Sequence, residues 1–333
     1  MGATEVAIAA PAAPTSRIRG TVPGKVAGMP KTHDCLIVGA GPAGLVAATY
    51  LARFHRDVVV VDAGNSRAQW IPTSHNCPGF PLGIGGESLL QRLRAQAAQY
   101  GVEPVQGKVE SLRCDGEGVF LASDGDGRVW RARCVVLATG VVDMMPVVEG
   151  GQPVLERAVE SGVLRLCAVC DGYEASDECI GVLAPPQEAL SHGLFLRGFS
   201  RKVDAISAGP GETDADTRRA ADAAGVPLLP VPARLDCDAD ACTVTFDDGS
   251  TRRYDTLYPV LGSEAQSQLA RELGADVDED GALRTDAHQQ TSVDGLYAIG
   301  DVVSALDQIA VAVGHAAIAA TAIHNRLPRR LRM

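Results

Sequence analysis

The chain has 333 residues, of which 46% are apolar, and a formal net charge of −11. This length predicts about two globular domains, and the negative charge disfavours nucleic acid or an anionic membrane surface as a partner. No apolar run approaches the ~18 residues that a membrane span needs, so the sequence predicts a cytoplasmic protein without a membrane segment.

The first 28 residues contain mainly Ala, Pro, Gly and Thr, without hydrophobic periodicity. Such a segment cannot bury enough apolar surface to offset the loss of chain entropy on folding, so residues 1–28 are expected to form a disordered tail. The folded part is expected to begin at Met29, directly before the first predicted strand.

The nine cysteines are spread over a chain that is too long to need disulfides for its stability, which favours a reducing compartment. Only Cys167 and Cys170 are closely spaced. Zinc is an alternative reading of this pair, but Cys237 and Cys242 lie in an Asp-rich loop, separated by four residues, and no pair of histidines completes a ligand set. The sequence therefore predicts no metal site.

The first folded segment has the pattern of a βαβ unit. An apolar strand at 35–40, a glycine turn, a helix at 43–54 and an all-valine strand at 57–64 follow one another. Continuous apolar strands of this kind are typical of a parallel sheet that is covered on both faces, so we expect an α/β fold.

The glycine turn carries a dinucleotide-binding fingerprint. Gly39, Gly41 and Gly44 match G-x-G-x-x-G, and Asp62 follows eighteen residues after Gly44 at the end of the second strand. The first glycine allows the tight turn, the second lets a pyrophosphate approach the backbone, and the third lets the helix pack closely on the strand. The acidic residue is placed to bind a ribose hydroxyl. A tight glycine turn without a ligand is the alternative.

A Pro- and Gly-rich loop follows position 70 and leads into an amphipathic helix near 86–100. Its Ser74, His75 and Asn76 are equally compatible with binding a ring or ribose and with ordinary loop contacts. Further along, the strand at 133–140 ends in "LATG", where the small residues up to Gly140 would allow a cofactor close to the backbone.

The middle of the chain contains "CAVCDG", in which Cys167 and Cys170 stand at i and i+3. Two thiols at this spacing at a helix start can close a ring and exchange with an outside disulfide or pass two electrons to a flavin. Asp171 adds a carboxyl group where a proton must be given or taken. Two small core residues are the alternative reading of the pair.

The C-terminal part contains a strand that ends at "YAIGD", followed by a long apolar helix at about 307–326. Asp301 at the end of this strand can bind ribitol or ribose hydroxyls, while a helix N-terminus favours negative charge. A buried helix with an N-terminal aspartate is the alternative, although it does not explain the glycine before Asp301.

Taken together, these segments resemble the bacterial-type, low-molecular-weight thioredoxin reductases. The resemblance covers residues 33–327 and rests on motifs that stand in the order of that family. They are "GAGPAGLVAA" with Asp62, "LATG", "CAVCDG", "TSVDGLYAIGDV" and "DQIAVAVGHAA".

The resemblance implies two Rossmann-like three-layer domains. A discontinuous FAD domain at 29–146 and 266–330 would carry an inserted, smaller dithiol domain at 147–265. FAD-contacting positions of the family match Gly39, Gly41, Gly44, Asp62, Asp301 and Gln308. The resemblance further implies that Cys170 faces the flavin, Cys167 attacks the substrate disulfide and Asp171 is the acid/base. It also implies a homodimer and a thioredoxin-like protein or small-molecule disulfide as partner.

The inserted domain keeps the Rossmann rhythm, with strands at 179–184 and 202–209 and helices at about 187–199 and 215–225. The turn after its first strand departs from the family, whose G-x-G-x-x-A for NADPH is replaced by residues 184–189, Ala-Pro-Pro-Gln-Glu-Ala. Pro185 and Pro186 remove two N–H donors there, and Glu188 adds negative charge. The basic cluster for a 2′-phosphate is replaced by residues 207–209, Ser-Ala-Gly. NADPH is therefore expected to be a poor electron donor.

Three functions remain open at this stage. The first is a thioredoxin-reductase-like flavoenzyme with another donor, such as a ferredoxin-like protein or a dithiol. The second is a flavin-dependent dithiol oxidase that passes electrons to oxygen, although the relatives of that type carry His where Asp171 stands. The third is a non-enzymatic flavin redox sensor, which an intact dithiol disfavours.

Overall fold

The computed structural model describes residues 31–303 and 306–331. The tail predicted at 1–28 lies outside the described residues. Within them the chain divides into two compact units. The terminal unit contains 31–66, Arg92–Val141 and the described residues from Ala265 onwards, and the middle unit contains Arg67–Gln91 and Val142–Glu264. The sequence analysis assigned Arg67–Gln91 to the FAD domain, whereas the structure groups this segment with the middle unit.

The described residues form sixteen strands and eight α-helices. The strands are β1 (Thr32–Val38), β2 (Val58–Asp62), β3 (Val105–Gln106), β4 (Val109–Cys114), β5 (Phe120–Asp124), β6 (Val129–Leu137), β7 (Val141–Asp143), β8 (Cys179–Ala184), β9 (Lys202–Ser207), β10 (Leu228–Leu229), β11 (Pro232–Cys237), β12 (Cys242–Phe246), β13 (Thr251–Tyr254), β14 (Thr256–Pro259), β15 (Ser263–Ala265) and β16 (Leu296–Ala298). The helices are α1 (Pro42–Arg53), α2 (Gly86–Ala98), α3 (Gln152–Glu160), α4 (Ala168–Asp171), α5 (Pro186–Leu196), α6 (Ala215–Ala224), α7 (Gln268–Arg271) and α8 (Ile309–Arg326).

The terminal unit is built on a sheet of strand order β3-β2-β1-β6-β5-β4, with β16 also paired to β6. The strands β1, β2, β6 and β16 run parallel, and the last five residues of β1 and most residues of β6 are buried. Helices α1 and α8 pack against each other. The predicted α/β class is confirmed, and the apolar run of α8 is explained by its buried alanines, such as Ala316 and Ala320.

The middle unit repeats the parallel pattern in a sheet of strand order β10-β9-β8-β14. The predicted strands at 179–184 and 202–209 are β8 and β9, and the predicted helices at 187–199 and 215–225 are α5 and α6. Gly225 ends α6 in the left-handed region, with φ of 69°, which a glycine adopts without strain. A three-stranded antiparallel sheet, β11-β12-β13, completes this unit.

The region around Cys237 and Cys242 is not the loop that the sequence analysis expected. Cys237 ends β11, Cys242 begins β12, and the two are directly opposite each other in the antiparallel register. They form a disulfide with a Cα–Cα distance of 4.2 Å. The four cysteines considered as zinc ligands are thus paired in two disulfides, and the described residues contain no group of three or more His, Cys, Asp and Glu side chains arranged to hold a metal ion.

The helices in the described part of the chain include no candidate membrane span. None of its helices combines the length and the apolar character that a bilayer span requires.

Candidate active site

The predicted dithiol lies at the short helix α4 of the middle unit. Cys167 is the N-cap of this helix, and its disulfide to Cys170 spans a Cα–Cα distance of 5.3 Å, within the range that an unstrained backbone allows. The backbone N–H of Cys170 donates to Sγ of Cys167 at 3.2 Å and to its carbonyl oxygen at 3.0 Å. The buried side chain of Ala168 anchors the turn in the core. The predicted pairing is therefore present in the structure.

Two apolar side chains beside the dithiol face solvent. Val169, between the two cysteines, is 54% exposed, and Tyr173 is 79% exposed. These two side chains leave apolar area exposed beside the disulfide. The motif thus presents both a disulfide and an apolar surface.

Asp171 is held in a largely buried position by two partners that the sequence analysis did not find. The hydroxyl of Tyr258 donates to Oδ1 of Asp171 at 2.9 Å, and a terminal guanidinium nitrogen of Arg165 lies 3.8 Å from Oδ2. Burial raises the pKa of Asp171 to about 6, and this increase is opposed by Arg165 and the Tyr258 hydroxyl and supported by Glu174 and Glu178. A carboxyl group with this pKa exchanges protons near neutral pH.

The turn after β8 differs from a glycine-rich pyrophosphate turn. Pro185 is the N-cap of α5 and Pro186 is its first residue, so neither position offers an N–H group. A Cβ atom at Gly211 would lie 2.8 Å from Cδ of Pro186, which shows how closely the next loop approaches this turn. The proline ring therefore occupies space beside the helix start.

A hydrogen-bonded bridge also closes this turn. The side-chain amide of Gln187 donates to Oδ2 of Asp214 at 2.6 Å and to Oγ1 of Thr217 at 3.1 Å, while the backbone N–H of Asp214 donates to Oε1 of Gln187 at 3.0 Å. Hydrogen bonds from Thr217, Gln187 and Asp216 lower the pKa of Asp214 to about 2. A carboxylate that is ionised at neutral pH thus stands beside the first turn of α5.

The terminal unit presents a different turn at the start of α1. Gly39 has φ of 103°, and a Cβ atom there would lie 2.4 Å from the carbonyl oxygen of Ala138. A Cβ atom at Gly44 would lie 2.0 Å from the carbonyl oxygen of Gly39. These two glycines allow close backbone packing between β1, α1 and the end of β6, as the fingerprint predicts.

Gly41 has another role in the same turn. It is the N-cap of α1 without a side-chain hydrogen bond to the helix start, and the nearest described atom to a Cβ there is Oγ of Ser66 at 3.3 Å. The first-turn N–H groups therefore have no side-chain cap and can face an anion. The open side of Gly41 and the uncapped helix fit a dinucleotide pyrophosphate.

Asp62, Gly140 and Asp301 stand at the ends of neighbouring strands in this sheet. Oδ1 of Asp62 accepts a hydrogen bond from the N–H of Ala40 at 2.9 Å. Gly140 has φ of 65°, with no described atom within 4 Å of its Cβ position. Asp301 lies in the 3₁₀ turn Gly300–Val302 after β16. The carboxyl ends of β1, β2, β6 and β16 therefore bring these predicted residues to one edge of the sheet.

Gln308, the last predicted cofactor residue, is the N-cap of α8, and its amide donates to the carbonyl oxygen of Asp307 at 2.8 Å.

Ser74, His75 and Asn76, for which the sequence left two readings, form a local turn in the middle unit. Ser74 is buried and donates to Oδ1 of Asn76 at 3.1 Å, while His75 is exposed. Ordinary loop contacts thus account for Ser74 and Asn76.

Comparison with known proteins identifies the family. Residues 33–177 and 216–316 match the pyridine nucleotide-disulphide oxidoreductases. The chain belongs to this family. The matched residues leave out 178–215, which contain the proline turn and the Gln187–Asp214 bridge.

Relatives and solved structures give the subgroup. The chain is 27% identical to a thioredoxin reductase from Peptoclostridium acidaminophilum over 88% of this chain and 96% of the relative. It is 28% identical to the Bacillus subtilis thioredoxin reductase, over 89% of this chain and 95% of the relative. The crystal structure of HlmI matches with a TM-score of 0.80 and 32% identity, over 88% of this chain and 92% of HlmI. The chain is thus a thioredoxin-reductase-like oxidoreductase.

The raised pKa of Asp171 predicts a pH-dependent change in stability. In the unfolded chain this carboxyl titrates near 3.8, so folding is penalised only when it is ionised. The penalty is absent below about pH 4, grows towards pH 6 and is constant above pH 6. Its final size follows from the pKa difference between the folded and unfolded states, at about 1.4 kcal/mol for each pKa unit. Asp171→Asn should therefore be more stable than the parent protein at pH 8, by up to about 3 kcal/mol, and equally stable at pH 4.

Urea unfolding at both pH values measures this difference. The exposed Asp222→Asn is the control, and it should leave the free energy of unfolding nearly unchanged at pH 4 and pH 8. A difference between Asp171→Asn and the parent that is the same at both pH values would contradict the assigned pKa.

Proposed function

We propose that the protein is an FAD-dependent disulfide oxidoreductase that passes electron pairs between FAD, the Cys167–Cys170 dithiol and an outside disulfide. The observation that carries this function is the Cys167–Cys170 disulfide followed directly by Asp171, whose pKa is about 6, in a chain of the disulphide oxidoreductase family. The outside disulfide belongs to a thioredoxin-like protein or a small molecule. The names of the relatives favour the protein.

The exchange chemistry balances on the residues of this chain. In the reduced state the thiolate of Cys167 attacks one sulfur of the outside disulfide, and a mixed disulfide forms as the first thiolate leaves. The thiolate of Cys170 then attacks Sγ of Cys167, which restores the Cys167–Cys170 disulfide and releases the second thiolate. Asp171 supplies and takes up the protons that accompany these steps. The exposed Val169 and Tyr173 provide the apolar contact for the partner.

The terminal unit supplies the proposed FAD site. Gly39, Gly41 and Gly44 would hold the pyrophosphate at the start of α1, and Asp62 would bind a ribose hydroxyl. Gly140, Asp301 and Gln308 stand at the same sheet edge or at the start of α8. When bound, FAD supplies a two-electron carrier for the dithiol. The family to which the chain belongs supports this cofactor.

The proposed electron donor is not NADPH. Pro185 and Pro186 remove N–H donors from the second nucleotide turn, and Asp214, bridged to Gln187, adds a negative charge there. A ferredoxin-like protein or a dithiol that reaches the cofactor or the disulfide directly would replace it. In the dithiol case the chain could act as a flavin-dependent dithiol oxidase, with oxygen as the final acceptor, and the closed nucleotide turn is the observation that favours this second candidate. A homodimer and a cytoplasmic location remain predictions.

The dithiol is tested by cysteine replacement. Cys167→Ser and Cys170→Ser should each reduce the turnover of disulfide reduction to background, because closing the Cys167–Cys170 disulfide needs both sulfur atoms. Cys237→Ser with Cys242→Ser is the matched control, since it removes the other disulfide and should retain exchange. Unfolded oxidised protein should show five free thiols, the residues Cys35, Cys77, Cys114, Cys134 and Cys179.

Thiol labelling with mass mapping and an insulin or small-disulfide reduction assay are the measurements. Turnover of disulfide reduction that survives in Cys170→Ser would overturn the assignment of the dithiol. The loss of exchange in the control pair would instead assign the reaction to Cys237 and Cys242.

The cofactor site is tested at Gly41. Gly41→Val should fold and lose most of its FAD, because the branched side chain would fill the open side of the turn where the pyrophosphate binds. Gly116→Val is the control, since its Cβ has no described neighbour within 4 Å and it lies in an exposed turn of the same unit. The flavin absorbance per chain and the melting temperature separate cofactor loss from unfolding. A parent protein that binds no added FAD would refute the site.

The donor is tested by anaerobic stopped-flow reduction of the flavin. The loss of a few charge-assisted hydrogen bonds, at about 1.5–3 kcal/mol each, weakens binding by several powers of ten. NADPH should therefore reduce the flavin slowly and without saturation at millimolar concentration, while a reduced ferredoxin or a dithiol should be faster. Rapid, saturable reduction by micromolar NADPH would show that the proline turn still admits the nucleotide.

A further inference from the structure

Tyr258 is a polar group in a fully buried strand. All four residues of β14 are buried, and the Tyr258 side chain is 1% exposed. A buried phenol hydroxyl needs a hydrogen-bond partner, because its desolvation is otherwise uncompensated. Its partner is the Oδ1 atom of Asp171, at 2.9 Å, on the residue that follows the dithiol directly. The strand thus contacts the reactive motif through one hydroxyl group.

The contact holds Asp171 at more than one atom. The Tyr258 hydroxyl also lies 3.4 Å from the backbone carbonyl oxygen of Asp171, and a guanidinium nitrogen of Arg165 lies 3.4 Å from the same oxygen. Arg165 is itself fixed, since its Nε donates to the carbonyl oxygen of Gly162 at 3.0 Å. Tyr258 on β14 and Arg165 before α4 therefore both contact the backbone and the carboxyl group of Asp171.

We propose that Tyr258 is a positioning residue that orients the Asp171 carboxyl for proton transfer during dithiol exchange. Its hydroxyl donates to Oδ1, so that Oδ2, which lies 3.8 Å from a guanidinium nitrogen of Arg165, is the oxygen that gives and takes the proton. This inference rests on the proposed function, because it requires that Asp171 is the acid/base of the Cys167–Cys170 pair. Tyr258 itself exchanges no proton and contacts neither sulfur in this scheme.

The charges around Asp171 support the assignment. Burial raises the pKa of Asp171, Arg165 and the Tyr258 hydroxyl lower it, and Glu174 and Glu178 raise it further. Burial and the nearby Asp171 raise the pKa of Tyr258 above its ordinary value, so the phenol stays protonated and remains a donor at neutral pH. A hydrogen bond to the ionised carboxyl favours that form, so its removal would raise the pKa of Asp171.

The same unit contains a matched tyrosine–aspartate pair away from the dithiol. Tyr254 is 0% exposed, and its hydroxyl donates to Oδ2 of Asp204 at 2.9 Å. Tyr254→Phe removes a buried hydroxyl of the same kind from the neighbouring strand β13. It therefore reports the general cost of such a deletion without altering the partner of Asp171.

The experiment follows exchange between the oxidised holoprotein and dithiothreitol from pH 5 to pH 9, by quenched alkylation of Cys167 and Cys170 and mass analysis. Rates are divided by the concentration of the dithiothreitol thiolate, so that the remaining inflection belongs to the protein. The parent should show an inflection near pH 6, which Asp171→Asn removes. Tyr258→Phe should move this inflection upward by about one pH unit, as expected for the loss of one hydrogen bond to an ionised group. Tyr254→Phe should retain the parent inflection.

A second variant tests the direction of the effect without deleting the hydroxyl. Fluorotyrosine incorporated in place of Tyr258 keeps the shape of the ring and is a stronger donor, so the inflection should move downward. This measurement also covers the case in which Tyr258→Phe does not fold.

The outcomes separate the two proposals. An inflection that is unchanged in Tyr258→Phe, or in the fluorotyrosine protein if the former is unfolded, overturns the role of Tyr258 while Asp171→Asn still removes the inflection. An inflection that persists in Asp171→Asn overturns the acid/base role of Asp171 and the inference that rests on it. Equal shifts in Tyr258→Phe and Tyr254→Phe would assign a merely structural role to Tyr258.

Discussion

The close backbone contact between Gly39 and Gly44 is the constraint on which the terminal unit depends. A Cβ atom at Gly44 would lie 2.0 Å from the carbonyl oxygen of Gly39, so only glycine lets α1 start directly on the end of β1. This contact orients the first turn of α1 and leaves its N-cap, Gly41, without a side chain that could cover it. The uncapped N–H groups there favour an anion, which supports the proposed FAD pyrophosphate site at this sheet edge.

The two units use the same strand–turn–helix arrangement with opposite chemistry at the turn. In the terminal unit the turn is open at Gly41, whereas in the middle unit Pro185 begins the helix and Gln187 bridges to Asp214. The folds of the two turns are alike because the parallel strands dictate the path of the chain. The binding properties of the two turns differ, because binding depends on backbone N–H groups, which Pro185 and Pro186 lack, and on the Asp214 carboxylate. The fold does not determine which residues stand at these positions.

The raised pKa of Asp171 arises from burial rather than from the dithiol motif itself, and Arg165 and Tyr258 keep the increase moderate. The second disulfide forms because the antiparallel register places Cys237 opposite Cys242. The two disulfides thus have different surroundings, and the proposed function assigns exchange to the pair that Asp171 follows.

The sequence by itself determined the α/β class, the glycine fingerprint, the Cys167–Cys170 pairing and the loss of glycines after β8. These features follow from local rules, namely strand and helix periodicity, the steric freedom of glycine and the spacing of two thiols. The boundaries of most helices were predictable to within a few residues, as for α1 and α5, since proline and glycine mark the helix ends.

Only the tertiary structure decided which residues contact Asp171 and that Gln187 and Asp214 form a bridge at the turn after β8. Tyr258 lies 87 residues from Asp171, and Asp214 lies 27 residues from Gln187. No periodic pattern connects residues at such separations, because their contacts depend on strand order and on how loops pack over the sheet. Cys237 and Cys242, expected in a loop, are a local case, because the short turn at 238–241 sets the register of the hairpin and places the two cysteines opposite each other.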